Sequence, residues 1–144
     1  MKKYFTFSLL ILFVSIGFSQ TIPDDQQLIR TTGFTVHAAH KMALANGTSL
    51  TNLGKCIEHQ RHAVSEYKLG NKTQAIYHSA YARELAFDII TANGGKIQQY
   101  LEFTDTEKSM ISGSPSHETL DAAISGKISP DNEYLAPQLT AVDL

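Results

Sequence analysis

Five of the six histidines fall between positions 37 and 78, and their spacing is the chemical signal of this chain. His37 and His40 form one H-x-x-H pair, and His59 and His62 form another. Cys56, the only cysteine, stands three residues before His59 and makes C-x-x-H-x-x-H. Residues three apart on a helix project from one side of it. Imidazole and thiolate are the donors that select Zn, Cu and Ni. The candidate metal ligands are therefore His37, His40, Cys56, His59, His62 and His78, and the ions they would take are Cu, Zn or Ni.

Other chemistries lack their residues. There is no C-x-x-C, so paired-cysteine zinc motifs and c-type haem attachment are excluded. No phosphate-binding Gly-Lys loop, G-x-S-x-G elbow or H-E-x-x-H helix is present. Di-iron bundles need E-x-x-H, but Glu58 is followed three residues on by Arg61, and Glu84 by Phe87. A nucleophilic role for Cys56 needs a lowered thiol pKa, and the cysteine is expected inside a helix rather than at its N-terminus. The chain reads as non-enzymatic, with no catalytic residue assigned.

These ligands must be positioned by helices. Pro23, Asp24 and Asp25 suit a helix start. Ile29, Val36, Ala43 and Leu44 then recur at helical spacing up to the stop signal Asn46-Gly47. Gly33, among Thr31, Thr32 and Thr35, is a candidate break in this stretch. A second helix carries Leu50, Leu53, Ile57, Val64 and Tyr67 on one face and ends at Gly70. Asn71, with Gln74 three residues on, is expected to cap a third helix. That helix is apolar on several sides: Ala75, Ala82, Leu85, Ala86 and Ile89 form its main stripe, and Ile76, Ala80 and Phe87 lie on another. A helix apolar most of the way round belongs at the centre of a domain. The expected class is an all-α, small helical bundle with longer helices near 23–46, 49–69 and 72–93. Short C-terminal helices follow, with Thr104 and Glu107 as a second capping box and Ser114-Pro115 and Ser129-Pro130 as further starts. On these helices His40 and His78 face inward, whereas His59 and His62 share the polar side with Glu66. For Cys56, burial, ligation and an intermolecular disulfide are all open.

Charge and hydropathy divide the 144 residues. Lys2 and Lys3 precede an apolar run from Tyr4 to Phe18, and Gly17 and Ser19 are small, which predicts a signal peptide over 1–19. Cleavage before Gln20 leaves ten basic and fourteen acidic residues. Such a balance is not that of a nucleic-acid binder. No later stretch could span a bilayer, so the expected location is periplasmic or extracellular. Residues 20–100, the expected helical core domain, carry net +2; residues 101–144 carry net −6. This acidic segment is expected to pack on the core or trail from it, adding stability without being needed for the fold.

Residues 59–85 read HQRHAVSEYKLGNKTQAIYHSAYAREL. This stretch resembles the helical hairpin of exported, histidine-rich small metal-binding proteins. His59, Ala63, Val64, Lys68, Gly70 and His78 carry the resemblance, which covers about a fifth of the chain. Glu66 and Asn71 stand where that family places further histidines. The resemblance implies binding of divalent metals such as Cu²⁺ and Ni²⁺ in the periplasm without catalysis, and it carries over His59 and His78. The second function in view is a structural or protein-interaction module of the cell envelope that uses no metal. A protein partner and a homo-oligomer are both open on either reading.

Overall fold

The computed structural model describes residues 22–47 and 49–144; the expected signal peptide lies outside them. The described residues are helical with no strand, and the chain is an all-α bundle. The three longer helices are α1 (Asp24–Asn46), α2 (Leu53–Lys68) and α3 (Lys72–Ala92). Two short helices follow, α4 (Asp105–Ile111) and α5 (His117–Ile124), with 3₁₀ turns at Gln99–Leu101, Ser125–Lys127 and Asp131–Tyr134. None of the described helices is long and apolar enough to cross a membrane.

Local chemistry explains most boundaries. Gly47 closes α1 at φ 57, a left-handed conformation that costs glycine little, and its N–H bonds the Ala43 carbonyl. The Thr104–Glu107 capping box forms as expected, with Thr104 Oγ1 accepting from the Glu107 N–H and the Glu107 carboxylate accepting from the Thr104 N–H. Other starts differ. Helix α2 begins at Leu53, later than expected, after Asn52 in the left-handed region at φ 66. Asn71 does not cap α3 with its side chain; its amide donates to Glu66 instead. The cap of α5 is Ser116 rather than Ser114, and the turn after Ser129-Pro130 is 3₁₀.

Helix α3 sits at the centre, against both α1 and α2. Its stripe of Ala75, Ala82, Leu85, Ala86 and Ile89 is buried, together with Ala80, Tyr81 and Ile90. The main core joins Tyr81, Ala82, Leu85, Ala86, Ile89 and Ile90 to Val36, Ala39, Ala43, Leu53, Cys56 and Ile57, while Ala75 packs with Leu28, Ile29 and Val64 in a second cluster. All three alanines in this α3 stripe are fully buried.

Residues 101–144 pack on this core, and Leu120, Tyr134 and Val142 join it. They wrap the bundle, α4 against α1 and α3, α5 against α2 and α3, and the turn Asp131–Tyr134 against α2. Leu101, Leu120, Ile124, Tyr134 and Val142 are all buried. Two glycines make room for this wrapping. Helix α1 runs unbroken through Gly33, where a Cβ would lie 3.0 Å from the Val142 carbonyl oxygen and 3.1 Å from the Asp143 carboxylate. At Gly54 a Cβ would come within 2.5 Å of the Tyr134 ring.

The wrapping is held by buried polar groups as much as by apolar ones. Gln60 donates to the Ile29 and Val142 carbonyls and accepts from Ser79 Oγ, so one side chain ties α1, α2, α3 and the C-terminal segment. Arg83 is fully buried. It donates to Thr32 Oγ1, the Leu28 carbonyl and Glu107 of α4.

Candidate functional site

The α2–α3 hairpin brings three of the candidate imidazoles together. His59 and His62 lie one turn apart on α2, and His78 faces them from α3. The Nδ1 atoms of His59 and His78 are 2.8 Å apart. Their rings are stacked with centroids 5.1 Å apart, and the His62 ring meets His78 edge-on at 4.5 Å. His59 is fully buried and His78 is 1% exposed.

A fourth group arrives from 62 positions along the chain. Asp121 of α5 places Oδ1 3.0 Å from His59 Nε2 and Oδ2 2.8 Å from Lys55 Nζ. A carboxylate accepts, so His59 Nε2 carries the proton. The His59 Nδ1 is then a bare lone pair, and His78 Nδ1–H donates to it. The result is an ordered chain: Lys55 and His59 donate to Asp121, and His78 donates to His59. Tyr81 closes one side, 4.7 Å from the His59 ring, and itself stacks on His117 at 4.0 Å.

The interior holds these imidazoles neutral. Burial, followed by the neighbouring His59, His62 and Lys127, lowers the His78 pKa to about 3. Burial also lowers His59, against the opposing pull of Asp121. His62 is lowered by burial and by Lys127, whose ammonium lies 3.3 Å from its Nδ1. For Asp121, burial works upward, but Lys55 and His59 outweigh it and keep the carboxylate below its usual range. Neutral imidazole is the form that can ligate a metal.

The expectation that His59 points to solvent is therefore corrected. Its face of α2 is polar by composition, as expected, but the C-terminal segment covers that face. Glu58, His59 and Gln60 are all buried there with polar partners. His62 keeps partial exposure and lies 3.9 Å from Glu66.

The remaining candidates stand apart from this cluster. His40 is buried as expected, and its Nε2 bonds the Tyr134 carbonyl at 2.9 Å. His37 pairs with Asp143 at 3.0 Å near the surface. Cys56 lies in the first turn of α2, not mid-helix as expected, but it is buried and its thiol donates to the Ala82 carbonyl. Burial pushes that thiol far above its ordinary pKa, which favours the protonated thiol over the thiolate. Among the described residues, no group of three or more His, Cys, Asp or Glu side chains is arranged to hold a metal ion. The structure supplies two facing imidazole donors with a third ring beside them, not a closed tetrahedron.

Sequence reasoning missed Asp121. Its signal was its place in α5, flanked by Leu120 and Ile124, which put a carboxylate at the edge of a buried face. A groove of about 510 Å³ runs beside His37, His40, Leu44 and Leu139. Another of about 310 Å³ runs beside Gln27, Tyr100 and Glu107. Neither is lined by His59, His62 or His78. No protein-family model, curated protein or solved structure matches this chain.

Proposed function

We propose that this is an exported, non-enzymatic helical protein that binds a transition-metal ion, Cu, Zn or Ni, between His59 and His78. One observation carries the reading: two buried imidazoles face each other through Nδ1 at 2.8 Å inside the bundle. In the metal-free state a proton lies between them. Moving that proton to Nε2 of His78 frees a second lone pair at the same point, and a cation then takes the proton's place. Tetrahedral zinc at about 2.0–2.1 Å from each nitrogen needs the pair about 3.4 Å apart. The opening is about 0.6 Å, within reach of small ring rotations about the Cβ–Cγ bonds. His62 is the nearest third imidazole, and water can complete the shell.

Calorimetric titration of untagged protein with Cu²⁺, Zn²⁺ and Ni²⁺ tests this. The expected result is one site of micromolar or tighter affinity at neutral pH, lost in His59→Ala and in His78→Ala. His37→Ala should leave it unchanged. No binding tighter than millimolar would end the reading, and the imidazole pair would then be a buried hydrogen bond of the fold.

A further inference from the structure

Between α1 and the C-terminal segment lies the groove of about 510 Å³, which the three clustered imidazoles do not line. Small-molecule sites span about 300–1,000 Å³. One wall is His37, Lys41 and Leu44, spaced four and three residues apart along one face of α1. Pro137 and Leu139 of the C-terminal segment form the other wall. His40, buried at the groove, is fixed there by its bond to the Tyr134 carbonyl. Two features of this lining have no answer within the chain. Leu44 stays 40% exposed, so apolar surface is left in water. Lys41 is exposed and, among the described residues, takes part in no ion pair, whereas its neighbour His37 is met by Asp143 at 3.0 Å.

We propose that this groove binds a small amphipathic carboxylate, its carboxylate on Lys41 and its aliphatic chain along Leu44, Pro137 and Leu139. A carboxylate accepts a charge-assisted hydrogen bond from an ammonium, and the chain removes apolar surface from water. An inorganic anion would leave the apolar strip wet, and a plain hydrocarbon would leave Lys41 unanswered. Asp143, beside His37, disfavours a head group with more than one negative charge. This is a second site, and it does not depend on the metal-binding reading.

Octanoate titrated into the untagged protein, followed by nitrogen-15 NMR, tests this. Saturable shifts should fall on residues 37–44 and 137–139, with a dissociation constant of about 0.1–1 mM. Decanoate should bind about 3–10-fold more tightly, because more apolar surface leaves water. Octanol and octylammonium carry the same chain without the anion and should bind about tenfold more weakly. Lys41→Glu should reverse this order, costing octanoate about tenfold and favouring octylammonium. Leu44→Gln should weaken all of these ligands about 3-fold. Both side chains are exposed, so both variants should keep the fold, which circular dichroism checks. The proposal is overturned by no saturable octanoate binding below about 10 mM, by shifts centred elsewhere, or by octanol binding as tightly as octanoate. A Lys41→Glu protein with wild-type octanoate affinity overturns it equally.

Discussion

Replacing Glu107 with alanine should come close to unfolding the protein, and the reason lies in Arg83. The Arg83 guanidinium is fully buried, 4.5 Å over the Phe103 ring, and Glu107 is its salt-bridge partner at 2.9 Å. Its contacts with the Leu28 carbonyl and Thr32 Oγ1 satisfy N–H groups but supply no negative charge. The Nη1 atom already has no hydrogen-bond partner among the described residues. Removing one member of a buried pair costs about 3–5 kcal/mol, because the other charge stays in the interior. Glu107→Ala also removes the acceptor for the Thr104 N–H and breaks the α4 capping box, about 1 kcal/mol more. The sum of about 4–6 kcal/mol compares with a total stability of about 5–15 kcal/mol for a domain. The melting temperature should fall by about 10–20 °C. Urea unfolding followed by far-ultraviolet circular dichroism measures this. The double substitution Arg83→Met with Glu107→Leu removes both charges and should recover most of the loss. A single-variant loss below about 1 kcal/mol, the range of an exposed pair, would refute the argument. So would a double variant less stable than the single.

Acid should weaken the fold through the imidazole cluster. His78 titrates at about 3 in the folded protein, against about 6.5 when unfolded. The unfolded chain therefore takes up a proton first, and stability is lost as pH falls from about 6.5 towards about 3. His78 alone should contribute a loss of about 2 kcal/mol between about pH 7 and pH 5, with His59 and His62 acting in the same direction; urea midpoints across pH check it. Truncation after Tyr100 should abolish cooperative unfolding. It strips Glu107 from Arg83 and removes five buried side chains, Leu101, Leu120, Ile124, Tyr134 and Val142, at about 1.5–3 kcal/mol each. A cooperative melt in the truncated chain would show that α1–α3 suffice. Cys56 should resist a chromogenic thiol reagent in the native protein and react fully in denaturant; rapid native labelling would mean that α2 opens locally.

The fold was legible where a residue pattern has a single local meaning. The many-sided apolar character of residues 72–93 identified the central helix, because an apolar side chain has one favourable place to go. Asn46-Gly47 and the Thr104–Glu107 box marked boundaries for the same reason: each satisfies its own backbone. The candidate site was legible only in part. C-x-x-H-x-x-H and His78 pointed to the hairpin on which three imidazoles meet, since i and i+3 spacing survives any packing. The burial of His59 was not legible. A polar face reads as solvated unless another segment brings matching hydrogen bonds, and the matching groups, Asp121 and the Val142 carbonyl, lie more than sixty positions away. Gly33 misled for a related reason: it looked like a helix breaker, but its missing side chain is space for residues 142 and 143.

The reach of Gln60 has a consequence for how the chain acquires its shape during synthesis. Its amide waits for a carbonyl 82 positions downstream, so helix α2 can pair with α3 long before its other face finds a cover. Contacts this distant in sequence form late. A nascent chain exposing an uncovered apolar face would be prone to stick to its neighbours. Part of the waiting surface is polar, Glu58, His59 and Gln60 on α2 and Arg83 on α3, and water can hydrogen-bond these groups in the interval. The price of sealing the bundle with polar groups is desolvation at the last step, and the return is a growing chain with less adhesive surface to show before residue 142 has emerged.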